Sequence, residues 1–340
     1  MNAPLSRVIC SICVANFNGE ALLDACLSSI LSQELNGDIE IIVHDDASTD
    51  NSLKVLARYA DVRVLKSTEN VGFCKSNNRM VAEARGEFIL LLNNDAALEP
   101  GALSALLEKA QALDAPAILT LPQRDWDTDL LVDRGCLLDP FMNPVPNLRK
   151  NRTEVAMVIG ACLWMPRSLW NRIGGFPDWI ESIAEDMFIC CAARQLGYAV
   201  FCLPTSSYRH MQGKSFGGNK VNAGRLTTTY RRRRLSERNK SSLLTIFTPS
   251  PWLIPVLALH IATLTTEGLL LTAVRRDIRI WKDIYLASLS YLWQQRAELR
   301  KLRHELQSAR TITAATYYSA FTWWPRKLIM LARYGLPKLR

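Results

Sequence analysis

The chain has 340 residues, 49% of them hydrophobic and 21% charged, and a net charge of +9. That is more than one compact core usually holds, so a catalytic or binding domain with an appendage is expected, and the composition excludes a disordered or collagen-like chain. The charge is unevenly divided: residues 226–340 carry 20 Lys+Arg against 6 Asp+Glu, a net of +14, which leaves residues 1–225 at −5. A strongly basic second part points toward an anionic surface, lipid or nucleic acid.

Met1 to Arg7 shows no charged region followed by a long apolar stretch and a small-residue cleavage site, so the expectation is a protein kept in the cytoplasm. RVICSICVA at 7–15 and IEIIVH at 39–44 read as short buried strands, and between them Leu22, Leu23, Cys26, Leu27, Ile30 and Leu31 recur at helical spacing. Cys10 and Cys13 form a C-x-x-C inside the first strand with no second pair, so zinc is not expected. The nine cysteines read as reduced, mostly buried thiols. A second cycle follows, with a helix after DDASTD, a strand at 62–66, a helix after Asn70-Val71-Gly72-Phe73 and a strand at 87–92 (EFILLL). This alternation predicts an α/β fold, a mostly parallel central sheet flanked by helices, with ligands at the carboxyl ends of the strands. Further on come an apolar run at 155–165, a helix over 182–196 and a strand at 198–202. After residue 225 the pattern reads as helical throughout.

Residues 251–274 are apolar over about the length of a membrane span but contain His260 and Glu267, and basic residues flank them on both sides. A hairpin or interfacial helices on an anionic cytoplasmic leaflet suit this better than a span, and Trp323 and Trp324 beside Arg326 and Lys327 add an interface mixture. A helical subdomain packed on the first part is the plainer alternative.

Three acidic sites stand at element ends. Asp45-Asp46 follows a strand, where a carboxylate can accept hydrogen bonds from a base or ribose, although a simple turn would use the same residues. Ser48, Thr49 and Asp50 read as helix caps. Asn93-Asn94-Asp95 ends a buried strand and offers oxygen ligands for Mg2+ or Mn2+ beside a phosphate. Glu185-Asp186 opens a helix, where it either complements the helix dipole or supplies a general base. Spacing alone leaves these alternatives open.

In combination and order the sites resemble a family. From about residue 8 to 215 the chain is similar to the inverting glycosyltransferases of family 2, with the GT-A fold, a group that includes bacterial rhamnosyltransferases. The blocks are SICVANFNG (11–19), IIVHDDASTDNS (41–52), NVGFCKSNN (70–78), GEFILLLNND (86–95), GACLWMPRSLWNRIGGF (160–176), EDMFICCAARQLGY (185–198) and LPTSSYRH (203–210). The resemblance implies a GT-A catalytic domain at 1–225 and a basic, helical, membrane-associating region at 226–340. It implies Asp45 at the base, Asp46 near the ribose, and Asn16, Asn70, Asn78 and Asn93 among the donor-binding residues. It further implies Asp95 bridging Mn2+ or Mg2+ to the donor diphosphate, His210 near the metal, and Asp186 deprotonating the acceptor. The expected donor is dTDP-rhamnose or a UDP-sugar, and the expected acceptor is a glycan or a lipid-linked molecule. The expected place is the inner face of the cytoplasmic membrane; nucleic acid is not expected as a partner. Pro177-Asp178, Phe188 and Lys75 depart from the family pattern. His44 and His260 read as structural, and Lys214 with Gly217-Gly218 reads as a loop over the donor. A non-catalytic module that binds a nucleotide or an anionic polymer at the membrane surface is the alternative.

Overall fold

The computed structural model describes residues 8–211, 218–222 and 225–339. They form two compact units, the first comprising Met1–Cys136, Pro146–Ala193 and Tyr198–Gln212, the second Leu137–Val145, Arg194–Gly197 and Gly213–Arg340.

The first unit begins with the expected alternation: β1 (Val8–Asn16), α1 (Glu20–Leu31), β2 (Asp38–Asp45), α2 (Ser52–Leu56), β3 (Val62–Lys66), α3 (Phe73–Glu83) and β4 (Phe88–Asn93). There follow β5 (Ala96–Leu98), α4 (Ala102–Gln111), β6 (Ala117–Thr120), β7 (Gln123–Asp125) and β8 (Leu131–Asp133). β9 (Cys136–Leu138) and β10 (Pro144–Pro146), of which residues 137–145 belong to the second unit, pair as a two-stranded ribbon. Then come β11 (Cys162–Pro166), α5 (Arg167–Ile173), α6 (Glu185–Gln195), β12 (Ala199–Cys202) and β13 (Tyr208–His210). The main sheet has the order β12-β6-β11-β4-β1-β2-β3 and is parallel except for β11, which runs antiparallel to β4 and β6. Its central strands are buried on both faces, hence their nearly unbroken apolar sequences. One face closes on α1 and α4, where Leu23, Leu27, Ile30, Leu103 and Leu106 meet Ile12, Val14, Leu90 and Leu92. All nine cysteines are free and buried, and burial pushes the Cys10 thiol up from its ordinary value.

Two expectations are corrected, for the helix from 182 and for the region after 225, and the apolar run at 155–165 is resolved into its parts. The helix expected from 182 starts at Glu185, because Ile183 and Ala184 take φ +70° and +74°, outside helical space. Of the apolar run at 155–165 only the part from Cys162 is strand. Val155 and Ala156 donate their amides to Val200 and Cys136 instead. The region after 225 opens with a strand, β15 (Arg225–Thr228), antiparallel to β14 (Gly218–Asn222) and parallel to β16 (Lys338–Leu339). Three consecutive threonines favour extended backbone there, and the last, Thr229, caps the next helix by accepting from Arg232 N. Lys214 and Gly217 lie outside the described residues.

The second unit is otherwise helical: α7 (Tyr230–Phe247), α8 (Leu253–Arg275), a π-helical segment (Ile280–Leu286), α9 (Ala287–Gln294), α10 (Arg296–Ser308), α11 (Ala314–Tyr318) and α12 (Arg326–Tyr334). Its small apolar core joins Leu264 and Leu271 of α8 to Ile280, Ile284 and Tyr285. Next to it lies a set of buried charges. Glu237, fully buried, contacts Arg233, Lys240 and Lys327, and Glu267 contacts Arg233 and Lys327.

Candidate active site

Strand register brings the first group together. Asn16 pairs with Asp45 across β1 and β2, and Ala15 pairs with Asn93 across β1 and β4, so Asn16, Asp45 and Asn93 end three adjacent parallel strands. Asn16 Nδ2 donates to Asp45 Oδ1 at 3.0 Å and lies 3.3 Å from Ser48 Oγ, while Asn16 Oδ1 accepts from Asn94 Nδ2 at 2.8 Å. Asp45 Oδ2 accepts from Ser48 N at 3.1 Å. Gly19 makes this layer possible: a Cβ there would sit 2.1 Å from Asn16 Oδ1 and 2.4 Å from Asn94 Nδ2.

The loops after β1 and β2 are bound to each other. Asp50 caps as expected, accepting from Ser52 N of α2 and also from Glu20 N of α1. Ser48 and Thr49 do not cap a helix. Ser48 Oγ accepts from Asn18 N, and Thr49 N donates to Asn18 Oδ1. Both oxygens of Asp46 accept backbone amides, from Val71 at 2.7 Å and Gly72 at 2.9 Å, and Asn70 Nδ2 reaches the Asp46 carbonyl at 3.5 Å. Asp46 therefore fixes the 70–72 loop beside Asp45. The Asn78 side chain is taken up by the backbone of Phe176, donating to its carbonyl at 2.8 Å and accepting its amide at 3.0 Å.

The second group depends on a small sheet of order β5-β13-β7-β8. Antiparallel pairing of Ala96 with His210 sets His210 beside Asp95, with Nε2 3.1 Å from Asp95 Oδ1. His210 Nδ1 lies 3.3 Å from Gln123 Oε1, which also accepts from Tyr208 Oη at 2.9 Å. With Nδ1–H donating to that oxygen, Nε2 presents a lone pair to the carboxylate, an arrangement that a shared cation satisfies. Asn93 Oδ1 is buried with no hydrogen-bond partner. Among the described residues no three His, Cys, Asp or Glu side chains gather as a ligand set. Two protein ligands and an orphan amide oxygen nonetheless suit Mg2+ or Mn2+, which complete their shells with water and substrate phosphate. Asp133, at the end of β8 in this sheet, is 4% exposed, and burial pushes its carboxyl up to about 7, against the opposing pull of the Gly135 amide and His210.

Asp186 is linked to the tip of β4 through the backbone. Gly160 N donates to Asp186 Oδ2 at 3.0 Å, Met187 N to Asp186 Oδ1 at 2.7 Å, and Asn93 N to the neighbouring Ala161 carbonyl at 3.1 Å. A Cβ on Gly160 would lie 3.5 Å from Asp186 Cβ and 3.9 Å from Asp186 Oδ2, so glycine leaves that side of the carboxylate open. The chain enters α6 through Glu181, Ile183 and Ala184, all at positive φ, each costing about 1–3 kcal/mol. Two departures from the family pattern meet nearby: Lys75 Nζ lies 3.8 Å from Asp178 Oδ2 on the exposed surface.

His44 and His260 are structural as read. His44 Nε2 is 3.1 Å from Ser67 Oγ and His260 Nε2 is 2.7 Å from Ser241 Oγ, both rings buried. The reading of the sequence missed Gln123, Tyr208 and Asp133, which lie on three-residue strands without periodicity, and it missed the Gly160 amide, whose only signal was its place at the head of the GACLWM block.

A mostly parallel sheet with polar groups at the tips of β1, β2 and β4, and an Asp–His pair on a small side sheet, defines the GT-A class of nucleotide-sugar-binding folds. Residues 11–174 match the model for Glycosyl transferase family 2, and this part of the chain belongs to that family. Chondroitin synthase of Escherichia coli is 28% identical over 194 residues, 55% of this chain and 27% of that protein. N-acetylglucosaminyl-diphospho-decaprenol L-rhamnosyltransferase of Mycobacterium tuberculosis is 26% identical over 210 residues, covering 53% of this chain and 68% of that protein. The fold is also similar to the crystal structure of GalNAc-T7 with UDP, GalNAc and Mn2+, at a TM-score of 0.54 and 16% identity, covering 60% of this chain and 43% of that one. The chain spans roughly a quarter to a third of the length of the first curated relatives it matches.

Proposed function

We propose that the protein is an inverting glycosyltransferase that moves a sugar from a nucleotide sugar, dTDP-rhamnose or a UDP-sugar, to a hydroxyl of a glycan or lipid-linked acceptor in cell-envelope polysaccharide synthesis. The observation that carries this reading is the joining of three elements within one unit: Asn16 and Asp45 at adjacent strand tips, Asp95 paired with His210, and Asp186 tied through Gly160 and Ala161 to Asn93.

Asp45, oriented by Asn16 and Ser48, accepts from the nucleobase, while Asp46 and Asn70 hold the loop that borders the ribose. Asn93, Asp95 and His210 would hold Mn2+ or Mg2+, which would supply positive charge beside the leaving diphosphate. Asp186, its oxygens fixed by two amides, takes the proton from the acceptor hydroxyl as that oxygen bonds to the anomeric carbon. The bond from that carbon to the diphosphate oxygen breaks on the opposite face, and its electron pair leaves with the diphosphate. A single displacement inverts the configuration. Asn78 holds the turn at Phe176 that borders α3.

We assign residues 1–225 to catalysis and 226–340 to attachment at the inner face of the cytoplasmic membrane, where a lipid-linked acceptor is within reach. The net charge of +14 and the exposed Trp252, Trp323 and Trp324 support that assignment. NMR of the product formed from dTDP-rhamnose and from UDP-sugars, with lipid-diphosphate-linked acceptors, tests the reaction. The expected product has an inverted anomeric configuration and does not form with Asp186→Asn; a retained configuration contradicts the mechanism.

A further inference from the structure

α8 is long enough to cross a bilayer, with 23 residues and a mean hydropathy of 1.6, and only 17% of its apolar window is buried. Its two faces differ sharply. One face carries His260, Leu264, Gly268 and Leu271, all buried in the second unit. His260 bonds Ser241 of α7, Glu267 bonds Arg233 of α7 and Lys327 of α12, and Gly268 lets the Tyr285 ring approach so closely that a Cβ would meet it at 2.6 Å. The other face is exposed, with Ile254, Leu259, Leu269, Leu270 and Val274 between 52% and 78% exposed, and the threonines among them, Thr263 and Thr266, donate their hydroxyls to the carbonyls of His260 and Ala262. Both groups that argue against insertion, His260 and Glu267, thus point into protein, and the outer stripe is free of charge.

Length therefore does not decide how α8 meets a bilayer; its partners do. His260 and Glu267 lie in the middle part of the helix, and both are fastened to α7, which carries Arg231–Arg234, Glu237, Arg238 and Lys240. A spanning α8 would draw that charged helix into hydrocarbon. α12 extends the apolar surface: Leu328 is exposed, Trp323 and Trp324 stand at its entry, and the element is tied to α8 through Lys327 and through Arg275 donating to the carbonyls of Leu336 and Pro337. Arg275, Arg276, Arg279 and Arg333 are exposed at the borders of this surface, and their charge selects an anionic partner.

We propose that α8 and α12 lie flat in one leaflet of an anionic bilayer, with the Leu259–Leu270–Val274 stripe among the acyl chains and the arginines at the headgroups, so that α8 does not cross. This rests on the reading of residues 226–340 as the membrane-attached region and specifies its geometry. The stripe sinks about 5–10 Å, the depth usual for amphipathic interfacial helices, and the tryptophans sit at the headgroup boundary.

All nine native cysteines are buried, so single introduced thiols report on the two ends of α8. Ser250→Cys and Arg279→Cys in the full chain are expected to react with a membrane-impermeant maleimide in inverted inner-membrane vesicles without detergent. If either reacts only after detergent is added, α8 crosses and the flat geometry is overturned. In flotation with the purified chain, phosphatidylglycerol vesicles are expected to carry it and pure phosphatidylcholine vesicles to carry at least tenfold less. Leu259→Glu with Leu270→Glu is expected to reduce flotation at least tenfold while nucleotide binding stays unchanged. Absence of flotation together with a stable dimer by light scattering means that a second copy covers the stripe, and the membrane reading itself then fails.

Discussion

The two units distribute polarity in opposite ways. In the first, apolar side chains fill the interior and the polar groups stand at the tips of β1, β2 and β4. In the second, Glu237 and Lys240 lie inside with Arg233, Lys327 and Glu267, while Ile254, Leu270, Trp323 and Trp324 face outward. Buried ion sets contribute little net stability but penalise heavily the loss of one member. Their use here is positional: they fix α7, α8 and α12 so that Glu267, the one charge within the apolar length of α8, faces protein. An apolar exterior is then consistent with a folded interior, provided that the exterior meets lipid.

This contrast can be broken at several points. The largest expected effect is in the first unit, where Asp186→Asn lowers turnover about 10²–10⁴-fold and leaves the Kd for the nucleotide unchanged by calorimetry. In the second unit Glu237→Gln takes the carboxylate from buried Lys240 and leaves Arg233 and Lys327 with Glu267 alone, and is expected to lower unfolding stability by about 3–5 kcal/mol in denaturant titration, without changing nucleotide affinity. The ion set also confers pH dependence. Although burial alone would raise the Glu237 carboxyl, the cations of Lys240, Lys327 and Arg233 hold it well below its ordinary value of 4.5. The stability it confers is complete above about pH 4.5 and declines as pH falls below that toward the folded value. Tm measured from pH 4.5 down to 3 is expected to drop, with Glu237→Gln flattening that acid limb relative to the wild type. The smallest effect belongs to the exposed Lys75–Asp178 pair, where Asp178→Asn is expected to change stability by less than about 1 kcal/mol.

The strands of the first unit were legible because burial on both faces forces long apolar runs, and the abrupt polar endings of HDDASTD and LLLNND marked their tips. What was not legible follows from non-local pairing. His210 meets Asp95 only because β13 joins β5, and three-residue strands carry no period that a sequence reveals. Asp46 read as a ribose contact, but two backbone amides from a loop 25 residues away occupy its oxygens, and no local pattern announces them. In the second unit the sequence displayed His260 and Glu267 as obstacles to insertion. Their partners on α7 and α12 were invisible to it, so the one-sided character of α8 emerged only from packing.

The most direct test of the catalytic claim is calorimetric binding of UDP, dTDP and GDP, each with and without Mn2+, to the wild type and to Asp95→Ala. The account predicts that one nucleotide binds in a metal-dependent way and that this binding disappears in the variant, since in the proposed mechanism Asp95, paired with His210, would hold the cation. Binding of none of the three at millimolar concentrations, or equal binding by Asp95→Ala, would contradict it.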